Sequence, residues 1–225
     1  MRGRERGEDL RPYPINLNLK GVRCLVVGGG MVAERKVEGL LHCSACVTVV
    51  SPTLTPKLER YAIRGELVHF ARAYKTEDLE GNLLVFAATN DSSTNNQIVH
   101  EARKRGILVN SASSAQLSTF SCPSVLRRGD IVITASTSGK APWVAKKVKE
   151  EIDKSLGVEY ELMANIIGEV RRLYPPGHSK RRDAIRRITR SRLLELLREG
   201  EFDRAEEELA KTTGLTLKDL GIRVR

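Results

Sequence analysis

The sequence predicts an α/β fold built on a doubly wound parallel sheet, and three observations predict it. An apolar run, Cys24 to Val27, feeds straight into Gly28-Gly29-Gly30, and a helix-like stretch follows. Strand-like and helix-like segments then alternate as far as Asn110, the rhythm of βαβ units. One of these strands, Leu83-Leu-Val-Phe-Ala-Ala88, is apolar throughout, as a strand covered on both faces must be. In such a sheet a ligand lies across the carboxyl ends of the strands.

The glycines keep the spacing G-x-G-x-x-A, with Gly28, Gly30 and Ala33 at the small positions. Gly28 lets the chain turn sharply off the strand, Gly30 lets bare backbone approach a pyrophosphate, and Ala33 lets the helix pack close to the sheet. The helix N-terminus then offers unpaired N–H groups and the positive end of its dipole to phosphate. A tight strand-to-helix turn uses glycine for structural reasons too. The next strand, Val47-Thr-Val-Val50, follows at the distance a βαβ unit requires.

A polar tail over 1–13 is expected to be disordered, and Ile15-Asn-Leu-Asn-Leu19 alternates as a short strand would. Strand 22–27, helix 31–42 and strand 46–50 come next. From Pro56 a short amphipathic helix runs to a stop at Gly65, with Leu58, Tyr61 and Ala62 on its apolar side. Leu67-Val-His-Phe70 reads as a strand, and Thr76-Glu-Asp-Leu79 as a turn of helix capped by Thr76. After the apolar strand at 83–88, Thr94 to Arg105 is helical with Ile98, Val99 and Ala102 inward, and Ile107-Leu-Val-Asn110 ends the alternation.

The pattern changes near residue 113. Ser111 to Thr119 is small and polar, a loop, and Ser124 to Thr137 reads as a hairpin around Arg-Gly-Asp. Pro142 to Ile152 is helical, with proline at the first turn where it is tolerated. Beyond Ser155 helices are expected over 158–173, 180–198, 201–211 and from Leu217, with a break at Tyr174-Pro-Pro-Gly.

The composition, 40% hydrophobic and 29% charged over 225 residues, is that of a globular protein with ample core. No apolar stretch approaches the ~20 residues a membrane helix needs, and the N-terminus has no signal-peptide core. Cys43 and Cys46 are spaced C-x-x-C, but there is no second pair with ligand spacing and no His pair at zinc spacing. No metal site is therefore expected, and half-buried thiols in a reducing cytoplasm are the simpler account. The net charge of +10 implies an anionic partner. Between Arg171 and Arg192 there are nine Lys and Arg against one acid, Asp183. This is either a solvated helical face or a surface for nucleic acid or a polycarboxylate.

Several further segments, taken with the glycine loop, are specific. Gly28-Gly29-Gly30-x-Val32-Ala33-x-Arg35-Lys36, Ala88-Thr89-Asn90-Asp91 with Asn95, and Val109-Asn110 fall in order. Phe120-x-x-Pro123, Arg128-Gly129 and Ser136-Thr137-Ser138-Gly139-Lys140-Ala141-Pro142 follow in register. From about Pro14 to Ile152 the chain resembles the family of precorrin-2 dehydrogenases and sirohydrochlorin ferrochelatases, which also forms the front half of the trifunctional sirohaem synthases. The fused methyltransferase of the latter is expected to be absent.

The resemblance implies a Rossmann-type NAD-binding domain over 14–112, a small α/β dimerisation domain over 113–152 and a helical C-terminal domain over 153–225. It implies a homodimer, with the active site between the nucleotide domain and the other two. From the thiols a cytoplasmic protein is expected, and from the residue patterns no nucleic-acid or membrane partner. Gly28, Gly29 and Gly30, with Met31 and Val32, would hold the cofactor, together with Ser51, Pro52, Thr53, Thr89 and Asn90. A typical NAD fingerprint closes the second strand with an acid for the ribose hydroxyls. Here Val50-Ser51-Pro52 offers a hydroxyl and backbone, with no Arg for a 2′-phosphate, so NAD is the better expectation than NADP.

The reaction implied removes a hydride and a proton from precorrin-2, giving sirohydrochlorin and NADH. The family's acid/base and chelation candidate is an Asp three residues after the Asn of Val-Asn. This chain has Ser113 there, and Glu101 is the one carboxylate between Asp91 and Asp130. Hydride transfer tolerates that loss, because the proton can leave to water or to a substrate carboxylate. Metal insertion must strip two pyrrole protons and gains from a carboxylate, so chelatase activity is expected to be weak or absent. Asn110 is read as a loop-orienting or strand-capping residue, and Thr137 as a substrate contact or a loop-satisfying hydroxyl. The acetate and propionate arms of the tetrapyrrole give the basic segment a candidate ligand, with Arg181, Arg182, Arg186 and Arg187 facing the substrate cleft. The alternatives are a bifunctional dehydrogenase and ferrochelatase, a non-catalytic NAD or tetrapyrrole sensor, and a nucleic-acid-binding regulator. The last lacks an aromatic stacking set and any reading motif.

Overall fold

The computed structural model describes residues 12–222, so most of the tail expected over 1–13 lies outside the described residues. The chain divides into two compact units between Cys122 and Pro123.

The first unit is a five-stranded sheet of β1 (Arg23–Val27), β2 (Cys46–Val50), β3 (Val68–Phe70), β4 (Leu84–Ala87) and β5 (Leu108–Ser111). The order is β3-β2-β1-β4-β5 and every pair is parallel, as the sequence predicts. Successive side chains of a strand face opposite ways, and the core divides accordingly. Cys24 and Val26 of β1 join Val47 and Val49 beneath α1 (Met31–His42) and α2 (Pro56–Ile63), where Ala33, Val37, Leu40 and Leu58 are buried. Leu25 and Val27 join Val85 and Ala87 beneath α3 (Ser92–Lys104), against Ile98, Val99 and Ala102. Each fully buried Leu, Ile or Val contributes roughly 1.5–3 kcal/mol, so the two layers fix the register and with it the sheet's carboxyl edge.

Local hydrogen bonds decide where the elements differ from the reading above. Residues 15–19 form no strand: Asn18 accepts from the Lys20 backbone N–H, the chain turns at Lys20–Gly21, and Ile15 and Leu17 stay exposed. Helix α3 starts at Ser92 because the Asp91 carboxylate accepts from the N–H groups of Ser93 and Thr94.

The second unit opens with the antiparallel hairpin β6 (Ser124–Arg128) and β7 (Ile131–Ala135), covered by α4 (Pro142–Ser155). Helices α5 (Val158–Leu173), α6 (Ser179–Arg190), α7 (Leu193–Glu199) and α8 (Phe202–Thr213) follow. They bury a core of their own around Ile166, Val170, Ile188, Leu193, Leu197 and Leu209. The helix expected over 180–198 is two, because Ser191 caps α6 by donating its hydroxyl to the Ile188 carbonyl. The last predicted helix is only a turn, closed by Thr216 and Asp219.

Candidate functional site

At the carboxyl edge of the first sheet, four loops carry the candidate residues. The loop after β1 is set by two glycines that no other residue could replace without movement. Gly28 has φ 121°, and a Cβ there would lie 2.3 Å from the Ala88 carbonyl oxygen. A Cβ on Gly29 would lie 1.9 Å from the Thr53 carbonyl oxygen. Backbone bonds complete the join: Gly28 N–H donates to Val50 O and Thr55 N–H to Gly29 O, both at 2.9 Å. Gly28 and Gly29 therefore weld the loop to those after β4 and β2.

Gly30 differs from both. Nothing lies within 4 Å of where its Cβ would stand. It is the N-cap of α1, extended at φ −88° and ψ −173°, with no side chain capping the helix. Met31 and Val32 in the first turn are exposed, and Ala33 is fully buried against the sheet. The result is an open backbone surface at a helix N-terminus, the geometry a pyrophosphate requires. The residues present thus fit a dinucleotide.

The loop after β2 carries Ser51, Pro52 and Thr53. Ser51 is buried and donates its hydroxyl to the Thr53 carbonyl at 2.8 Å, while Pro52 and Thr53 are exposed. No acid stands here, and Arg72 beyond β3 is committed to Asp78 through two bonds of 2.8 and 2.6 Å. Glu34, the acid in the first turn of α1, is buried and accepts from the Thr55 hydroxyl at 2.6 Å.

The loops after β4 and β5 meet through Asn95, to which the sequence assigned no role. This side chain is 1% exposed. Its Oδ1 accepts from the Thr89 N–H and the Thr89 hydroxyl at 3.1 and 2.8 Å. Its Nδ2 donates to the Thr89 carbonyl at 3.0 Å and to Ser113 Oγ at 3.4 Å. Ser113 is exposed and sits 3.0 Å from the hydroxyl of buried Ser111. Asn90 is exposed beside Thr89. Asn110 donates to the Phe120 carbonyl at 3.0 Å, which returns the chain so that the Phe120 ring meets Phe86 edge-on. The signal for Asn95 was an apolar-side position on α3 occupied by an amide.

Asp91 at the head of α3 and Glu101 within it are both engaged. Asp91 accepts from the Thr94 hydroxyl and from the Thr94 and Ser93 N–H groups, which together hold its pKa below the usual carboxylate range. Glu101 accepts from the Tyr74 hydroxyl at 2.7 Å, and that bond foremost holds its pKa low. Among the described residues no group of three or more His, Cys, Asp and Glu converges as a metal site.

In the second unit, Thr137 Oγ1 accepts from the Ala141 N–H at 3.0 Å, so its hydroxyl satisfies the Ser138–Gly139 turn. Arg181, Arg182 and Arg186 line one groove on α6, with Arg171 of α5 and Arg190. Arg187 does not line it and pairs with Asp183 at 2.7 Å.

Comparison with known proteins agrees with this geometry. The NAD_binding_7 family model, described as NAD(P)-binding, matches residues 15–124. The siroheme synthase of Thioalkalivibrio sulfidiphilus is 34% identical over 214 residues, covering 93% of this chain and 44% of that protein. That of Photorhabdus laumondii is 35% identical over 199 residues, covering 87% of this chain and 42% of its own length. The chain thus spans less than half the length of these relatives. A solved structure, SirC, precorrin-2 dehydrogenase, superimposes with a TM-score of 0.72 at 29% identity, covering 87% of this chain and 100% of that one. In its five-stranded parallel sheet, its open glycine turn and its sequence, the chain is similar to precorrin-2 dehydrogenase and to the part of the siroheme synthases that it spans.

Proposed function

We propose that this chain is an NAD-dependent precorrin-2 dehydrogenase that forms sirohydrochlorin in sirohaem biosynthesis, with weak or absent chelatase activity. The observation that carries the reading is the open Gly30 turn at the head of α1. When bound, the cofactor supplies a hydride-accepting nicotinamide. The chain's own residues bind and orient. The backbone at Gly28–Gly30, with Met31 and Val32, would hold the pyrophosphate. Ser51, Pro52 and Thr53 would hold the cofactor after β2, and Thr89 and Asn90, fixed by Asn95, would complete its seat. With Arg72 paired to Asp78 and no Lys or Arg in the loop 51–55, the chain offers a 2′-phosphate no partner there, which favours NAD over NADP.

The proton released with the hydride goes to water or to a substrate carboxylate, since Asp91 and Glu101 are both held ionised and hydrogen-bonded. Ser113 cannot take that proton near neutrality, nor draw the two pyrrole protons that metal insertion displaces. This separates the two activities. A homodimer through the second unit is part of the same reading: Val125 and Val132 on its hairpin and Trp143, Val144 and Val148 on α4 are exposed apolar groups, of the kind that a second copy could cover. Cys24, Cys43, Cys46 and Cys122 form no disulfide, in keeping with a reducing cytoplasm.

The test is absorbance detection of sirohydrochlorin formed from precorrin-2 with NAD. Turnover supports the dehydrogenase. Binding without turnover would make the protein the sensor that Ser113 also permits. Efficient iron insertion by the unmodified chain would instead identify a bifunctional dehydrogenase and ferrochelatase.

A further inference from the structure

The groove on α6 has features that a merely solvated helix face lacks. It encloses about 710 Å³ and is lined by Arg171, Arg181, Arg182, Arg186 and Arg190, with no acidic residue in its wall. Other basic residues of the segment find partners: Arg172 pairs with Glu169, Arg187 with Asp183 and Arg192 with Glu195. Among the described residues no carboxylate pairs with Arg171, Arg182, Arg186 or Arg190. Arg182, Arg186 and Arg190 recur every fourth residue, which puts three guanidinium groups on one stripe, roughly 6 Å apart along the helix. Like charges so placed repel one another, and an anion relieves that repulsion as it binds. Between them lie the hydroxyls of Ser179 and Thr189 and the apolar side of Ile185.

We propose that this groove is an anion-binding site of the second unit, built for a compact polycarboxylate with an apolar body. Each guanidinium can grip a carboxylate through two parallel N–H···O bonds, and Ile185 offers the body an apolar seat. The volume falls within the roughly 300–1,000 Å³ typical of small-molecule sites. Single-stranded nucleic acid is the poorer occupant, because such sites interleave cations with aromatic platforms and His178 is the only ring in this wall. The choice of a tetrapyrrole as the polycarboxylate rests on the function proposed above; the anion site itself does not.

The experiment titrates the full chain with uroporphyrin, a tetrapyrrole octacarboxylate, by fluorescence quenching at low and moderate salt. The expected result is binding that weakens with salt and loses about tenfold or more in affinity in the Arg182→Glu/Arg186→Glu variant. NAD binding should change less than about twofold in that variant, because the dinucleotide residues lie in the other unit. A control reversal, Arg172→Glu/Arg192→Glu, carries the same charge change off the groove and should leave uroporphyrin affinity within about twofold. Unchanged affinity in the groove variant, or equal loss in the control, overturns the site. Tighter binding of a single-stranded oligonucleotide through the same arginines overturns the ligand class. Turnover of precorrin-2 with NAD is read separately: a chain without turnover whose uroporphyrin binding still follows the groove variant defeats the dehydrogenase and leaves the anion site standing.

Discussion

Asn95 on α3 reaches Ser113 beyond β5, its Nδ2 donating to the Ser113 hydroxyl at 3.4 Å while the same amide holds Thr89 through three further bonds. One buried side chain thereby ties the loop after β4 to the loop after β5. Replacing it by Asp keeps the shape but turns the donation to the Thr89 carbonyl into an acceptor–acceptor contact, while the Ser113 hydroxyl can rotate to donate. Asn95→Asp is expected to cost about 2–3 kcal/mol, the penalty for unsatisfied buried polar groups, and to raise the NAD Kd. Thermal melting and calorimetric titration of NAD check both, and an unchanged NAD Kd would show that the Thr89 loop needs no such clamp.

Ser113→Asp places a carboxylate where the resemblance expects one, facing a donor already aimed at it. Cobalt or iron insertion into sirohydrochlorin should rise by about tenfold or more, while the dehydrogenase rate moves by less than about threefold. A variant no better at insertion than the parent would mean that the missing carboxylate is not what limits chelation.

The three glycines should separate under alanine substitution. Gly28→Ala and Gly29→Ala drive a methyl into backbone at 2.3 and 1.9 Å, and each should cost about 3 kcal/mol or more. Gly30→Ala meets nothing and should shift stability by less than about 1 kcal/mol. Its NAD Kd should nonetheless rise about tenfold, equivalent to 1.4 kcal/mol. Urea unfolding and NAD titration of the three variants give the comparison.

Asp78 supplies an acid-side stability term. The Arg72 guanidinium, ahead of the Lys75 N–H, holds its carboxyl below the ordinary value of 3.8. Its folded-state pKa is thus depressed, so the stabilisation is present in full above the unfolded pKa and is lost as pH falls through the folded one. Asp78→Asn should be less stable than the parent at pH 7, and the gap should narrow as pH falls below 3.8. Unfolding curves from pH 7 to 3 test this, and a constant gap would contradict it.

Cys24 is fully buried in β1, and burial, then the neighbouring Cys46 and Cys43, pushes its thiol up to about 11. Exposed Cys46 and Cys122 should react with a thiol-specific disulfide reagent within minutes at pH 8. Cys24 should react only at the rate of unfolding. Peptide mapping after brief labelling identifies the sites.

The parallel sheet, its helices and the dinucleotide turn were legible in the sequence because each rests on local chemistry. Apolar runs such as 83–88 make buried strands, period-3.6 faces make helices, and G-x-G-x-x-A makes a phosphate turn wherever it joins the two. Even the departure at Ser113 was readable, since a missing carboxylate shows in the letters. The division of labour among the glycines was not. Gly28 and Gly29 are fixed by Ala88 and Thr53, far along the chain, and Gly30 by open space. Asn95 was hidden for the same reason, because its partners Thr89 and Ser113 come together only when β4 and β5 pair. The basic segment shows the limit from the other side. Sequence counted nine cations between 171 and 192. Only the packing of α5 on α6 decided that Arg171 joins Arg181, Arg182, Arg186 and Arg190 in one acid-free groove, while Arg187 turns away to Asp183.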